Sequence, residues 1–266
     1  MRSYGRIIGI GVLVIAIIGI GAGLYYFFYK RPAEAPLPTA QPAVKPGEKA
    51  LPAREIPFIT LPALNQSDEW LRKRAKDLAN YPKLAEWLKV NDLIRRITAA
   101  VDNIAEGVSP RAHLGFLAPQ KAFRMVKKGE NLIINPQSYH RYDRVADVFA
   151  SLDAAGVVRI FQELKPLFQE AYRELGYPHQ DFQETLIRAI KELLGTPIVE
   201  GDIALKEGVI SYFMVDEDLE GLSDAQKHLL RMGPQNTRKI QNKLQEIAVA
   251  LGVPENQLPN PQSRAK

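Results

Sequence analysis

The side chains able to do chemistry are few in this chain, and their spacing excludes more than it suggests. Histidine occurs four times, at His113, His140, His179 and His228. No two lie at the i,i+4 spacing that sets a pair of imidazoles over one helical face for zinc, and H-E-x-x-H does not occur. There is no cysteine, which removes thiolate catalysis, thiolate metal sites and disulfides together. Neither a G-x-S-x-G turn nor a glycine-rich phosphate loop is found, and Ser109 and Ser138 read as turn or cap positions. His140 and Asp143, i,i+3 on a helix, would make an oriented imidazole; a surface hydrogen bond is the plainer reading.

An acidic run offers a second chemistry. Asp216, Asp218 and Glu220 fall at positions 1, 3 and 5 of an EF-hand-like loop, with Gly221 at 6 and Asp224 at 9. Position 12, which should supply a bidentate glutamate, is Lys227. The four carboxylates are therefore weak metal candidates. A loop entering a helix capped by Ser223 accounts for them, since acids favour the positive end of the helix dipole. Neither metal nor cofactor is expected.

The remaining candidates pair aromatic rings with charge. Tyr139, Tyr142 and Asp143 lie near the start of one helix, Tyr172 and Arg173 late on the next, and Tyr177 in the turn that ends it. Arg231 and Asn236 flank a junction where Gly233 ends one helix and Pro234 starts another. Backbone N–H groups there suit an anion, although the plainer reading is that Arg231 and Asn236 satisfy the junction's own backbone. Tyrosine and arginine dominate interaction hot spots, so these eight residues are expected to mark an interaction surface.

Helices must carry most of these residues. Apolar side chains recur at helical spacing over Ser67–Pro82, Asn91–Gly107, Ser138–Ala155, Val157–Leu175, Gln180–Leu194 and Pro234–Leu251, with Pro166 expected to kink the fourth. Two short stretches alternate instead. Phe123–Val126 with Leu132–Ile134, and Ile203–Leu205 with Val209–Phe213, read as β-hairpins turning at Gly129 and Gly208. The likeness of the two turns hints at one small sheet, but turn chemistry alone is the preferred account. The fold class expected is mainly α: a compact helical domain over 63–253 with two small β-hairpins as a minor component, and a disordered tail over 254–266.

What precedes that domain differs in kind. Ile7–Phe28 contains no charged residue. As a helix it would be roughly 33 Å long at about 1.5 Å per residue, enough for a hydrocarbon core of about 30 Å. Residues 1–30 thus read as an uncleaved transmembrane anchor. A signal peptide cut at Gly21-Ala22-Gly23 is the alternative, but its apolar run would be shorter and not followed by Tyr25–Tyr29. Gly19 and Gly23 have the spacing that lets two membrane helices approach, which would support a homodimer; glycine is also simply frequent in such helices. From 31 to 62 there are eight prolines, a flexible linker tending to polyproline II.

Residues 64–252 carry 26 basic and 26 acidic side chains, so the whole of the formal +5 belongs to the ends. That excludes a globally basic nucleic-acid-binding domain, and no nucleic-acid partner is expected.

Several segments together resemble a known family. Leu164-Lys165-Pro166-Leu167, Glu170 to Pro178, Ala225 to Pro234 with Asn236, and Leu93-Ile94-Arg95-Arg96 with Val101-Asp102-Asn103 are similar to the bacterial family called domain of unknown function 3014. The resemblance covers roughly 62–252 and implies architecture and bacterial origin, but no activity. The expected protein is a single-pass inner-membrane protein holding an interaction or scaffolding domain in the periplasm. Its partners would be the bilayer and an envelope protein. The alternative is an envelope enzyme or ligand binder acting on peptidoglycan or a peptide, with carboxylates such as Asp143 or Glu170 in a groove.

Overall fold

The computed structural model describes residues 61–75, 78, 82–208, 211–260 and 263–265. The expected anchor, the glycines at 19 and 23 and the tether up to residue 60 lie outside them. Among the described residues no helix is long and apolar enough to cross a membrane.

The chain opens with α1 (Ser67–Ala75), α2 (Pro82–Trp87) and α3 (Leu93–Ala105). The start of α3 is capped from a distance: the Asp68 carboxylate accepts the backbone N–H groups of Asp92 and Leu93 at 2.8 and 2.9 Å. Those N–H groups have no partner inside the helix, and an acid there also meets the positive end of its dipole. A loop with 3-10 turns at Pro110–Ala112 and Gly115–Leu117 leads to strands β1 (Met125–Lys128) and β2 (Asn131–Ile134). Then come α4 (Asp143–Ala150), α5 (Ala154–Glu174) and α6 (Phe182–Leu194). Strands β3 (Ile198–Glu200), β4 (Ala204–Glu207) and β5 (Tyr212–Met214) precede α7 (Glu217–Glu220), α8 (Asp224–Leu230) and α9 (Pro234–Ala250). Strand β6 (Ser263–Ala265) follows.

The described chain is mostly helical with a small antiparallel sheet, and three details depart from the sequence reading. The helix expected across Ser138–Ala155 is broken twice. Pro136–Arg141 is a 3-10 turn, and Asp153 starts α5 by accepting the Gly156 N–H at 2.9 Å. A capping aspartate favours a new helix over continuation of the old one. Second, the two hairpins do pair. Strands β2 and β4 run antiparallel with Ile133 opposite Ala204, giving the order β1-β2-β4-β5. The cause is burial: Ile134, Leu205 and Met214 form one apolar strip that packs against Leu219 of α7 and Leu230 of α8. Third, the tail is structured in two places, a 3-10 turn at Glu255–Gln257 and β6, which pairs in parallel with β3. An open strand edge offers backbone partners that composition alone does not reveal. Pro166 lies inside α5, which runs unbroken across it on the exposed side.

Two helical packs stand beside the sheet. One gathers Leu71, Leu93, Ile94, Leu164, Phe168 and Phe182, with the Phe168 and Phe182 rings stacked at 5.4 Å. The other sets Ile240, Leu244 and Ile247 of α9 against Ala146 of α4 and Ile190 and Leu194 of α6. Leu186 of α6 packs on both, so α6 joins them. Leu164 is wholly buried in the first pack. Leu164→Ala in the full-length chain should lower stability by about 2–5 kcal/mol, from lost transfer energy and the cavity left behind. The shift of the denaturant midpoint measures it, and no shift would contradict the packing described.

Candidate functional site

Five of the eight aromatic and charged residues singled out above converge on the end of α9. Asn236, 2% exposed, is the hub. Its Nδ2 donates to the Tyr139 carbonyl at 3.1 Å, to Asp143 Oδ1 at 2.9 Å and to the Met232 carbonyl at 3.0 Å. It therefore ties the 3-10 turn and the start of α4 to the end of α8. Gly233 holds φ at 88°, and a Cβ there would meet the Tyr139 ring at 2.4 Å. The residue must be glycine both for its backbone and for the ring's approach. Asn236 thus satisfies the junction's backbone rather than facing outward, which corrects its place on the expected interaction surface.

Tyr172 needs the same correction. It is fully buried, one position on the apolar stripe of α5 that also holds Leu164, Phe168 and Ala171. Its hydroxyl pairs with Thr185 Oγ1 at 3.0 Å and donates to Gln180 Oε1 at 3.2 Å. Tyr177 stacks on it at 4.6 Å and donates to Asp102 Oδ2 at 3.5 Å. Burial, then the charge of Glu106, pushes the Asp102 carboxyl up despite that bond. Arg173 is exposed on α5. Tyr172, Arg173 and Tyr177 line neither of the grooves described next.

Two grooves flank the loop 109–123, sharing Leu117–Lys121, Arg141 and Val145 in their walls. The larger, ≈ 950 Å³, contains His140, Asp143, Asp147, Lys83 and Glu86. His140 Nδ1 and Asp143 Oδ2 are 2.7 Å apart, so the expected i,i+3 pair forms. Burial pushes the Asp143 carboxyl up, but hydrogen bonds from Asn236 and His140 and the nearby positive charges outweigh it and hold its pKa below the ordinary aspartate value. Asp147 pairs with Lys239 at 2.5 Å. Glu86 is held low by the hydrogen bond and charge of Lys83. Glu170, exposed on α5, does not line this groove.

The smaller groove, ≈ 660 Å³, brings together residues far apart in sequence. Ser109 Oγ lies 3.0 Å from His228 Nδ1. The Tyr142 ring meets the His228 ring edge-on at 6.3 Å. Arg111 and Arg231 line the same groove, near enough for their charges to act on the imidazole. Burial, then the charges of Arg231 and Arg111, holds His228 below the ordinary imidazole range. Sequence reasoning passed over Arg111 and gave His228 no role. The i,i+3 spacing of His228 and Arg231 was the only local signal, and nothing local sets Ser109 beside them.

The acidic run is consumed by structure. Asp216 caps α7 by accepting the Leu219 N–H at 3.1 Å. Glu220 Oε2 accepts the Met214 N–H at 2.7 Å, and Lys227 pairs with Glu220 Oε1 at 3.2 Å and Asp224 at 3.4 Å. The lysine at loop position 12 thus neutralises two of the would-be ligands. Among the described residues no group of three or more His, Asp or Glu side chains is placed to hold a metal ion.

Fold and site together define a mostly α-helical domain whose polar network closes a helix junction between two grooves. The family model described as "Protein of unknown function (DUF3014)" matches residues 93–248, from the start of α3 nearly to the end of α9. It spans well over half of the chain, which therefore belongs to that family. No curated protein and no solved structure matches the chain.

Two outcomes follow from this geometry. Asn236→Ala removes the donor shared by the Tyr139 and Met232 carbonyls and the Asp143 carboxylate, and should lower stability by about 1–3 kcal/mol in denaturant titration. A neutral result would remove Asn236 from its place at the hub. For His228, the folded site refuses a proton that the unfolded chain accepts. Stability should therefore fall as pH drops through the ordinary histidine value of about 6.5. The loss continues until the lower native value is reached. Denaturation at pH 7.5 and 5.5 should show a smaller drop for His228→Gln than for the wild type; equal drops would mean that His228 is not held low.

Proposed function

We propose that this chain is a single-pass bacterial inner-membrane protein presenting a non-enzymatic recognition domain in the periplasm. The observation that carries the recognition reading is the engagement of every carboxylate in the larger groove. Asp143 is bound by Asn236 and His140, Asp147 by Lys239, and Glu86 by Lys83. Acid–base work by paired carboxylates needs one group with raised proton affinity near a second that stays ionised. Asp143 and Glu86 are both shifted the other way. The smaller groove is lined largely by arginine, tyrosine and apolar side chains, a composition suited to recognition. Placement rests on the uncharged run Ile7–Phe28 and on the proline-rich segment that would hold the domain at a distance from the bilayer.

Paired C-terminal fusions test the placement. Alkaline phosphatase should be active and a fluorescent protein that matures only in the cytoplasm should stay dark; the reverse would overturn the periplasmic assignment. A photo-cross-linking residue replacing Leu117, on the wall shared by both grooves, should give discrete protein adducts in living cells. The same residue at exposed Arg159 and Arg173 serves for comparison. No protein adduct at any of the three would count against recognition of a protein partner.

A further inference from the structure

The smaller groove has a charge pattern that the domain as a whole lacks. Residues 64–252 balance 26 basic against 26 acidic side chains, yet this groove is lined by Arg111, Lys121, Arg141 and Arg231. Its one carboxylate, Asp224, is turned to Lys227 at 3.4 Å. Among the described residues none of the four cations has a carboxylate oxygen within 4.0 Å. Like charges gathered in a concave wall raise the local potential and favour an anionic occupant.

One of the cations is held ready. Arg141 Nε donates to the Ser138 carbonyl at 2.8 Å, and Nη1 to the Lys121 carbonyl at 3.3 Å. Its guanidinium also lies 5.3 Å from the Phe123 ring and 5.2 Å from the Tyr142 ring. Two hydrogen bonds and two rings fix its plane, which lowers the entropy lost when a carboxylate docks. His228, bonded to Ser109, shares this groove with Arg111 and Arg231, and burial with their charges holds it below the ordinary imidazole range. Much of the remaining lining is apolar, including Leu114, Leu117, Phe123, Val145 and Met232. At ≈ 660 Å³ the groove is far larger than a single ion.

From this lining we infer that the groove between the loop 109–123 and the α8–α9 junction binds an acidic protein segment, its Asp and Glu side chains interspersed with apolar ones. Arg111, Lys121, Arg141 and Arg231 meet the carboxylates, and the apolar wall takes the residues between them. The inference rests on the recognition reading above and names the chemistry of the partner. A nucleic acid is disfavoured because the basic groups are confined to one apolar-walled groove rather than spread along a face.

The test uses the full-length chain in non-ionic detergent and a short fluorescein-labelled peptide of Asp and Glu interspersed with Leu and Phe. Fluorescence anisotropy should show saturable binding that weakens as salt is raised, as expected for charges screened by ions. The double variant Arg111→Gln, Arg231→Gln should bind about tenfold more weakly or worse. The control Lys127→Gln, Arg159→Gln makes the same charge change at exposed positions outside the groove and should stay within about twofold of wild type. Denaturation midpoints confirm that both variants fold; if the groove pair does not, single Arg231→Lys and Arg111→Lys replacements should still weaken binding through loss of the planar fork. Equal loss in groove and control variants, or no binding by wild type, would overturn the assignment. So would equal binding of a peptide with Gln in place of every acid. Displacement of the probe by millimolar inorganic phosphate or by phosphatidylglycerol vesicles would likewise overturn it, in favour of a small anion or a lipid surface. Protein adducts at Leu117 that persist undiminished in the groove variant would leave the recognition reading standing while this assignment fell.

Discussion

A single buried carboxamide holds the junction on which both grooves depend. Asn236 donates to two backbone carbonyls and one carboxylate drawn from three elements, and so joins them at one point. One turn and a little further along α9, Gln241 repeats the device. Its Nε2 donates to the carbonyls of Leu193, Leu194 and Thr196 at 3.0, 3.3 and 2.8 Å, closing the C-terminal end of α6. The last carbonyls of a helix have no intrahelical donor, and burying them unpaired is costly. In both residues the amide oxygen is itself buried with no partner among the described residues. The arrangement spends donors where carbonyls converge, and α9 acts as the rod on which α4, α6 and α8 are registered.

What sequence could read followed from how local the stabilising contact is. Helices with their own caps were legible: Ser223 with Gln226 forms a reciprocal capping box at α8, and Gly233-Pro234 marks the break before α9. Contacts that cross the chain were not. The start of α3 is satisfied by Asp68, twenty-four residues away, and the loop serine at 109 meets an imidazole 119 residues on. Tyr172 was misread for a related reason. Tyrosine with a neighbouring arginine resembles a surface pair, but its place on the helical stripe puts the ring inside, where Thr185 and Gln180 supply the polar contacts its hydroxyl needs. Pairing of the hairpins likewise depended on an apolar strip that exists only once α7 and α8 cover it.

The same contrast separates charge that builds from charge that faces outward. The acidic run of 216–224, the most suggestive acidic cluster in the sequence, is spent on a helix cap, a strand N–H and two ion pairs with Lys227. The carboxylates of the larger groove are spent in the same way. Arginines in the smaller groove are not balanced by acids, and that imbalance is invisible to composition because it is local. Acids and bases cancel over the domain, so only the fold shows which charges have been left to meet something else.

The loop 109–123 shows how these features depend on one another. It is pinned at its start where Ala225 N–H donates to the Gly107 carbonyl at 3.0 Å and where Ser109 meets His228. At its far end Ser138 Oγ accepts the Arg124 N–H at 2.8 Å and donates to the Arg124 carbonyl at 2.9 Å, while Arg141 holds the Lys121 carbonyl. Every one of those anchors sits on α8 or on the 3-10 turn before α4, the elements that Asn236 binds together. If that clamp loosened, the two ends of the loop would no longer be held at a fixed separation, and both groove walls would change at once. Groove shape therefore depends not only on the groove residues that pin the loop but also on a buried amide that lines neither groove. This arrangement accounts for a site whose chemistry could not be read from the spacing of its own side chains.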